Sequence, residues 1–497
     1  LPGWKRFSPY SPPTTISPTG TAITLQQVLD AREQRAAVQN EMLKDLHSDH
    51  AALISFTLNI VGPVKVFPYT ILAYEAGLEA IRECLMWLEA DITDFREVRE
   101  NTGYEAFFSI KKETGIADIC KEHLTKLEET HPVGRLFDID VLRSDGTKVS
   151  RESLGYMGRT CLLCDKPAFL CGRSRRHTAQ ELVERETALI RDFFVERFSV
   201  HVGLLMQKAL FYEVNTTLKP GLVDLVHNGA HTDMDRHTFR DSAYALTSYF
   251  VETTRRGMEF ALEGRKEEDL PALFTSLRPL GMAAEVAMRQ ATGGVNTHKG
   301  MIFSGGILCC ALGYDMVSRD GIGSFRLKYT NPAEAFPHLK GTVQRMLPYL
   351  LEDYQTLPAG EAASHGERLY IQYGITGIRG EAHLGFPSLF HMGYPLFIRM
   401  LSQGYSLNEA GCIVLLHYIA YTEDSNLIIR SGYDTAARIR SELKNFLEKA
   451  PYSEQLAILP RLDDHFVQNH ISPGGSADML ALTYFLYFIS TLPCKWD

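Results

Sequence analysis

The sequence predicts a multidomain protein, with an N-terminal α+β domain followed by a large all-α domain. Three observations carry that expectation. At 497 residues the chain has room for two to four domains of roughly 100–200 residues each. Up to about residue 178, strand-like and helix-like runs alternate; beyond it strand signals become rare. The later apolar runs at 301–314, 411–421 and 479–492 are too long for typical strands and are parted by glycine-rich polar turns, as expected of helices that are apolar all round inside a bundle.

Taken in order, residues 1–20 carry five prolines and few large apolar side chains, which predicts a loosely attached tail. Thr24 with Gln27 three positions later fits a capping box. Leu25, Val28, Leu29, Ala36, Met42, Leu43 and Leu46 then recur at helical spacing. ALISFTL (52–58) and YEAFFSI (104–110) read as strands, and 69–90 and 116–130 as helices. A helical pattern opens at Thr178 and runs to Leu210. The expected division is a tail at 1–20, an α+β domain at 21–192 and an all-α domain at 193–497.

Composition excludes several classes. Hydrophobic residues make up 45% and charged residues 22%, ordinary for a globular chain. Sixty acidic residues against 51 basic ones give a net charge of −9, so no global basic field exists to hold nucleic acid or an anionic membrane. Any polyanion must bind locally. Nine cysteines, three of them within 161–171, predict a reduced, cytoplasmic chain rather than a disulfide scaffold. The apolar, uncharged run near the C-terminus, Met479 to Cys494, has 16 residues, short of the ~20 needed to span a bilayer. The opening segment is too proline-rich for an apolar leader.

In the first half, GRLFDIDVL (134–142) alternates Phe137, Ile139 and Val141 against Asp138 and Asp140, so both carboxylates share one strand face. Mg²⁺ bridging to a polyphosphate would relieve their repulsion; the alternative is a solvated face beside the SDG turn. RTCLLCDKPAFLCGRSRRH (159–177) spaces Cys161, Cys164, Cys171 and His177 so that three thiolates and an imidazole could hold zinc, with buried thiols as the alternative. The same stretch holds Arg159, Lys166, Arg173, Arg175 and Arg176 against Asp165 alone, which suits a phosphorylated ligand or an acidic partner.

In the second half, chemistry gathers in the turns. KPGLVDLVHNGAHTDMDRHTF (219–239) carries Lys219, Asp224, His231, Asp233 and Asp235 ahead of a helix expected near residue 232. TGGVNTHKGMIFSGG (292–306) sets His298 and Lys299 at a helix start, an anion seat without the order of a P-loop. YGITGIRGEAHLGFP (373–387) holds Arg379 and Glu381, TEDSNLIIRSG (422–432) holds Asp424 and Arg430, and ISPGGSADMLALTYF (471–485) offers Ser476 or Asp478 as a helix cap. Five such turns in one helical domain predict a single polar cleft for a metal–polyphosphate.

KPGLVD, GAHTDMD, TGGVNTHKG, YGITGIRGEA, DSNLIIRSG and SPGGSAD, in order, resemble the triphosphoribosyl-dephospho-CoA synthases. VLDAREQR, TLNIVGPVK, HPVGRLFDIDVL and SRESLGYMGRTCLLCDKPAFLCGRSRRH resemble the citrate lyase holo-acyl-carrier-protein synthases. The chain is therefore similar to the fused form of the pair. That implies a nucleotidyltransferase-like first domain and two consecutive reactions. ATP and 3′-dephospho-CoA give the triphosphoribosyl product and adenine; the product is then attached to a serine of the apo acyl carrier (γ) subunit with loss of pyrophosphate.

On this resemblance, Asp233, Asp235 and Asp424 hold Mg²⁺–triphosphate, and Lys219, Lys299 and Arg379 contact phosphate. Asp224, His231, Arg430 and Ser476 are further substrate contacts, Glu381 is the base, and His298 is an acid or a phosphate contact. Asp138 and Asp140 carry the transfer metal, and Arg135, Arg173, Arg175 and Arg176 hold phosphates or the acidic carrier. Two rival readings are the equivalent role on a malonate decarboxylase carrier and a zinc-knuckle nucleic-acid binder; the charge of −9 counts against the latter.

Overall fold

The computed structural model describes residues 20–46, 48, 50–67, 69–112, 115–318, 332–355 and 365–491. The tail expected at 1–20 lies outside these residues except for Gly20. The chain divides into two compact units between Phe194 and Val195.

The first unit is a four-stranded antiparallel sheet with helices on both faces. Its elements are α1 (Leu25–Leu43), β1 (Ala51–Leu58), α2 (Thr70–Trp87), β2 (Asp91–Glu100), β3 (Gly103–Lys111), α3 (Ile116–Thr130) and β4 (Phe137–Arg143), with strand order β2-β3-β1-β4. The expected capping box opens α1: the Thr24 hydroxyl accepts from the Gln27 amide at 3.3 Å, and the Gln27 side chain accepts from the Thr24 amide at 2.8 Å. On one face Phe56 stacks on Tyr74 of α2 at 5.4 Å and meets Phe137 edge-on. The other face packs Leu53 and Phe107 against Met42 and Leu46 at the end of α1. Each such buried apolar side chain contributes about 1.5–3 kcal/mol.

β2 was not foreseen. DITDFREVRE is almost wholly exposed, and its charges pair along the edge, Arg96 with Asp94 and Arg99 with Glu97. An edge strand protected by charge has no apolar alternation to announce it.

A short helix, α4 (Ala168–Ser174), precedes the long α5 (Ala179–Asn215), within which the unit division falls. Near the start of α5, Glu186 is buried and accepts the Val61 amide at 3.1 and 3.2 Å, tying the turn after β1. Burial pushes its carboxyl up to about 7.

The second unit is helical throughout the described residues. α6 (Arg236–Leu262), α7 (Leu270–Ala291) and α8 (Lys299–Ser318) are followed by further helices that include Gly377–His383, Leu407–Tyr421, Ser425–Ser431 and Gly474–Thr491. α6 and α8 meet backbone to backbone. A Cβ on Gly257 would fall 2.0 Å from the Cys310 carbonyl oxygen, and one on Gly313 would fall 2.2 Å from that of Thr254. α8 is long and apolar enough to cross a membrane by length and composition, but 89% of its most apolar 18-residue stretch is buried inside the fold. The three apolar runs do form buried helices. Two boundaries differ from expectation. The helix after GAHTDMD begins at Arg236, and Gly474–Thr491 begins two residues before Ser476, so neither Ser476 nor Asp478 is its cap.

Candidate active site

In the second unit all five glycine-rich turns open onto one cavity of about 1030 Å³. Lys219, His231 and Asp233 come from the first turn, and His298 and Lys299 from the second. Arg379 and Glu381 come from the third, Asp424 and Arg430 from the fourth, and Ser472 and Asp478 from the fifth. Three expected contacts do not line it: Asp224, Asp235 and Ser476 are used to build the loops.

Asp224 is buried; its carboxylate accepts the amides of Val226 (2.7 Å), His227 (3.2 Å) and Lys219 (3.3 Å) and so closes the loop on itself. Asp235 is the N-cap of α6 and accepts from the amides of His237 and Thr238 and from the Thr238 hydroxyl. That engagement holds its carboxyl below the usual range. Ser476 gives both its amide (2.7 Å) and its hydroxyl (2.9 Å) to Asp424. Asp424 also caps Ser425–Ser431 through the amides of Asn426 and Leu427, so one buried carboxylate locks two turns together.

The cations are held in place by neighbours. Arg379 lies 4.4 Å over the Tyr354 ring and donates to the Leu350 carbonyl at 2.8 Å. Lys299 pairs with Glu285 at 3.0 Å. Lys219 is buried and donates to the carboxylate and the carbonyl of Glu213, itself buried. Arg430 donates to His231 Nδ1 at 3.3 Å, which leaves the His231 proton on Nε2, facing Ser472 Oγ at 2.9 Å. Burial and the Arg430 charge push His231 down to about 4, so it is neutral near pH 7.

Three further groups line the cavity, Glu381, His298 and Asp478. Both Glu381 oxygens accept from Ser388, at 2.5 Å from the hydroxyl and 3.2 Å from the amide. His298 is buried; Nδ1 lies 2.7 Å from Ser242 Oγ, and Nε2 has no partner among the described residues. Burial, aided by the Lys219 charge, pushes its pKa down to about 3, so it works as a neutral imidazole. Asp478 has no hydrogen-bond or ion-pair partner among the described residues. Burial and the negative charges of Glu213 and Asp424 push its carboxyl well above the usual range. Its oxygen rests on Gly300, where a Cβ would fall 1.9 Å away.

The sequence reading missed the roles of Asp478 and Glu213. The first was in view, within SPGGSAD, but a polar residue near a helix start reads as a cap. The second sits inside a long helix with no local signal.

In the first unit Asp138 and Asp140 do share the half-exposed face of β4, opposite Thr57 and Ser55. Each has a cation: Arg159 reaches Asp138 at 3.2 Å and Lys148 reaches Asp140 at 2.6 Å. Glu128, buried behind them, accepts from Arg159, Arg151 and the Ile139 amide. Arg135 donates to the Thr160 carbonyl. Arg173, Arg175 and Arg176 are exposed. The ligand atoms of Cys161, Cys164, Cys171 and His177 all lie within 4.8 Å of one another.

Two family models match the chain. CitX, apo-citrate lyase phosphoribosyl-dephospho-CoA transferase, matches residues 23–193. CitG, ATP:dephospho-CoA triphosphoribosyl transferase, matches residues 200–495. Protein CitXG of Haemophilus influenzae is 32% identical over 95% of this chain and 97% of its own length. Protein CitXG of Leuconostoc mesenteroides subsp. cremoris is also 32% identical, over 94% of this chain and 97% of its own. The 2-(5''-triphosphoribosyl)-3'-dephosphocoenzyme-A synthase of Haemophilus ducreyi is 34% identical over 67% of this chain and 100% of its own length.

Proposed function

The chain belongs to the fused CitX–CitG transferases, and from that premise we propose that residues 21–192 carry the transferase and residues 193–497 the synthase. The protein is a bifunctional transferase that makes and attaches the citrate lyase prosthetic group. Five turns meeting on one cavity is the observation that supports placing the synthase site there.

In that cavity the 2′-hydroxyl of 3′-dephospho-CoA attacks C1 of the ATP ribose. The C1–N9 bond breaks, adenine leaves with its electron pair and takes up a proton, and the triphosphate stays on the product. The reaction needs a base for the hydroxyl and charge stabilisation around an oxocarbenium-like sugar. Glu381 is the base on the sequence reading, but its oxygens are both engaged by Ser388. Asp478 has no hydrogen-bond partner among the described residues, and its raised affinity for a proton suits it to accept one from the hydroxyl. Glu381 then orients the turn that carries Arg379. His298, neutral, offers Nε2 as a hydrogen-bond partner for the purine or a phosphate oxygen.

Arg379, Lys299 and Arg430 contact the triphosphate, and Lys219 sets the charge of the cavity floor. Oxygen donors suit Mg²⁺, and Asp233, with its side chain 61% exposed, would hold it beside the phosphates. Mg²⁺ would supply neutralisation of the triphosphate charge.

In the first unit we assign a nucleotidyltransferase-like site to the β4 face. The carrier serine attacks the α-phosphorus, its P–O bond forms, and the bond to pyrophosphate breaks. Asp138 and Asp140 fit Mg²⁺ by donor type, Arg135 and Arg159 flank them, and Arg173, Arg175 and Arg176 meet the acidic carrier. We place this chemistry in the cytoplasm, where ATP and dephospho-CoA are supplied. Incubating the full chain with ATP, dephospho-CoA and Mg²⁺ should release adenine, read by chromatography. Adding apo carrier should then raise its intact mass by one prosthetic group. No adenine under these conditions would overturn the cavity assignment.

A further inference from the structure

We propose that Cys161, Cys164, Cys171 and His177 bind one zinc ion, and that this metal knot fixes the segment that sets Arg159 on Asp138. The backbone builds the site in three steps. An isolated bridge between Thr160 and Pro167 closes a tight loop, reinforced by the Cys161 amide on the Lys166 carbonyl (2.7 Å) and the Ala168 amide on the Arg159 carbonyl (2.8 Å). Cys161 and Cys164 stand on that loop. α4 then brings in Cys171, and Arg175 in the left-handed region (φ 43°) turns the chain so that His177 returns to the cluster.

The spacings are those of a metal tetrahedron. With Zn–S near 2.3 Å and Zn–N near 2.0–2.1 Å, ligand atoms sit about 3.5–3.8 Å apart. Here Cys164 Sγ is 3.5 Å from Cys171 Sγ and 3.4 Å from His177 Nε2, with all four ligand atoms within 4.8 Å. Three sulfurs and an imidazole, without a carboxylate, select zinc over magnesium. Four protein ligands leave no open position, so the site is structural.

Burial supplies an independent argument. From residue 150 to residue 185, Cys171 is the only buried residue, while Leu163, Phe169 and Leu170 stand exposed. A segment with so little apolar core does not hold one conformation by packing; a metal supplies the missing free energy. What it fixes is functional. Arg159, one residue before the loop, bridges Glu128 (2.7 Å) and Asp138 (3.2 Å), and the next carbonyl, Thr160, accepts from Arg135.

The test uses the full chain purified without chelator. Elemental mass spectrometry should find one zinc per chain, and Co²⁺ exchange should give the intense visible bands of a tetrahedral thiolate site. Cys164→Ser and Cys171→Ser should each lose the metal and slow carrier modification at least about tenfold. Adenine release by the same preparations should stay unchanged, which reports an intact second half. Wild-type protein without zinc, or zinc retained by both variants, overturns the site. Zinc lost with carrier modification unchanged overturns the positioning of Arg159. A wild-type, zinc-loaded chain that leaves the carrier unmodified would instead count against the transferase reading, because metal content is measured separately.

Discussion

Asp478→Asn preserves the side-chain volume and removes a carboxylate that makes no hydrogen bond among the described residues. No structural contact is lost, so the whole effect should fall on chemistry. A positioned general base contributes about 10²–10⁴ in rate, or roughly 2.7–5.5 kcal/mol of barrier. The variant should therefore release adenine about two to four decades more slowly under saturating ATP and dephospho-CoA, while carrier modification from pre-formed intermediate is unchanged. Stability should move the other way. Asp478 titrates higher in the folded chain than in the unfolded one, with Glu213 and Asp424 adding repulsion to burial. Its stabilising contribution is thus complete below the unfolded carboxylate pKa and is lost as pH rises through the folded one. At about pH 8 the asparagine variant should melt at or above the wild-type temperature, and the difference should shrink toward about pH 4. A rate within about threefold of wild type, measured in single turnover, would refute the assignment of the base.

Three further outcomes follow from the geometry. Gly300→Ala would place a methyl 1.9 Å from Asp478 Oδ2 and force that side chain to turn; adenine release should fall about tenfold or more while the far-ultraviolet dichroism stays the same. Asp138→Asn removes the partner of Arg159 on the β4 face and should depress carrier modification by about 10² or more without touching adenine release, both read from one preparation by mass spectrometry and chromatography. Glu186 titrates near 7 in the folded chain, so its contribution is complete below the unfolded value of 4.5 and is lost as pH passes 7, a change of about 3 kcal/mol. Glu186→Gln should flatten the pH dependence of the first unit's melting between about pH 5 and pH 8, and an unchanged slope would refute it.

Much of the fold was legible because its signals are local. Thr24 and Gln27 announce a helix start by their own hydrogen bonds, and Phe137, Ile139 and Val141 alternate because β4 buries one face only. The cavity was legible as a set of turns, since glycine beside charged residues marks places where backbone must bend and side chains must face solvent or ligand. What stayed hidden depends on partners distant in sequence. Asp424 and Ser476 are 52 residues apart and meet only in the folded chain, so both looked like ligand contacts when one locks the other. Asp235 and Asp224 differ: their partners are amides two to five residues away, and a carboxylate in a glycine-rich turn reads the same whether it closes the turn or faces a ligand. Asp478 is the converse: nothing near it in the sequence says that no donor will reach it. β2 was missed because two of its three apolar residues, Ile92 and Phe95, are exposed, and all three are scattered among charges.

The contact between α6 and α8 limits how the molecule can accommodate its ligands. With Gly257 and Gly313 seating main chain directly against main chain, neither helix has slack to slide, tilt or part without losing the seam. Adaptation to a nucleotide as long as dephospho-CoA must then be confined to the rim, where Gly293, Gly294, Gly374 and Gly377 already hold backbone angles that only glycine adopts at ease. Selection for broader acceptance of ligands would thus be expected to rewrite those corners and leave the keel untouched.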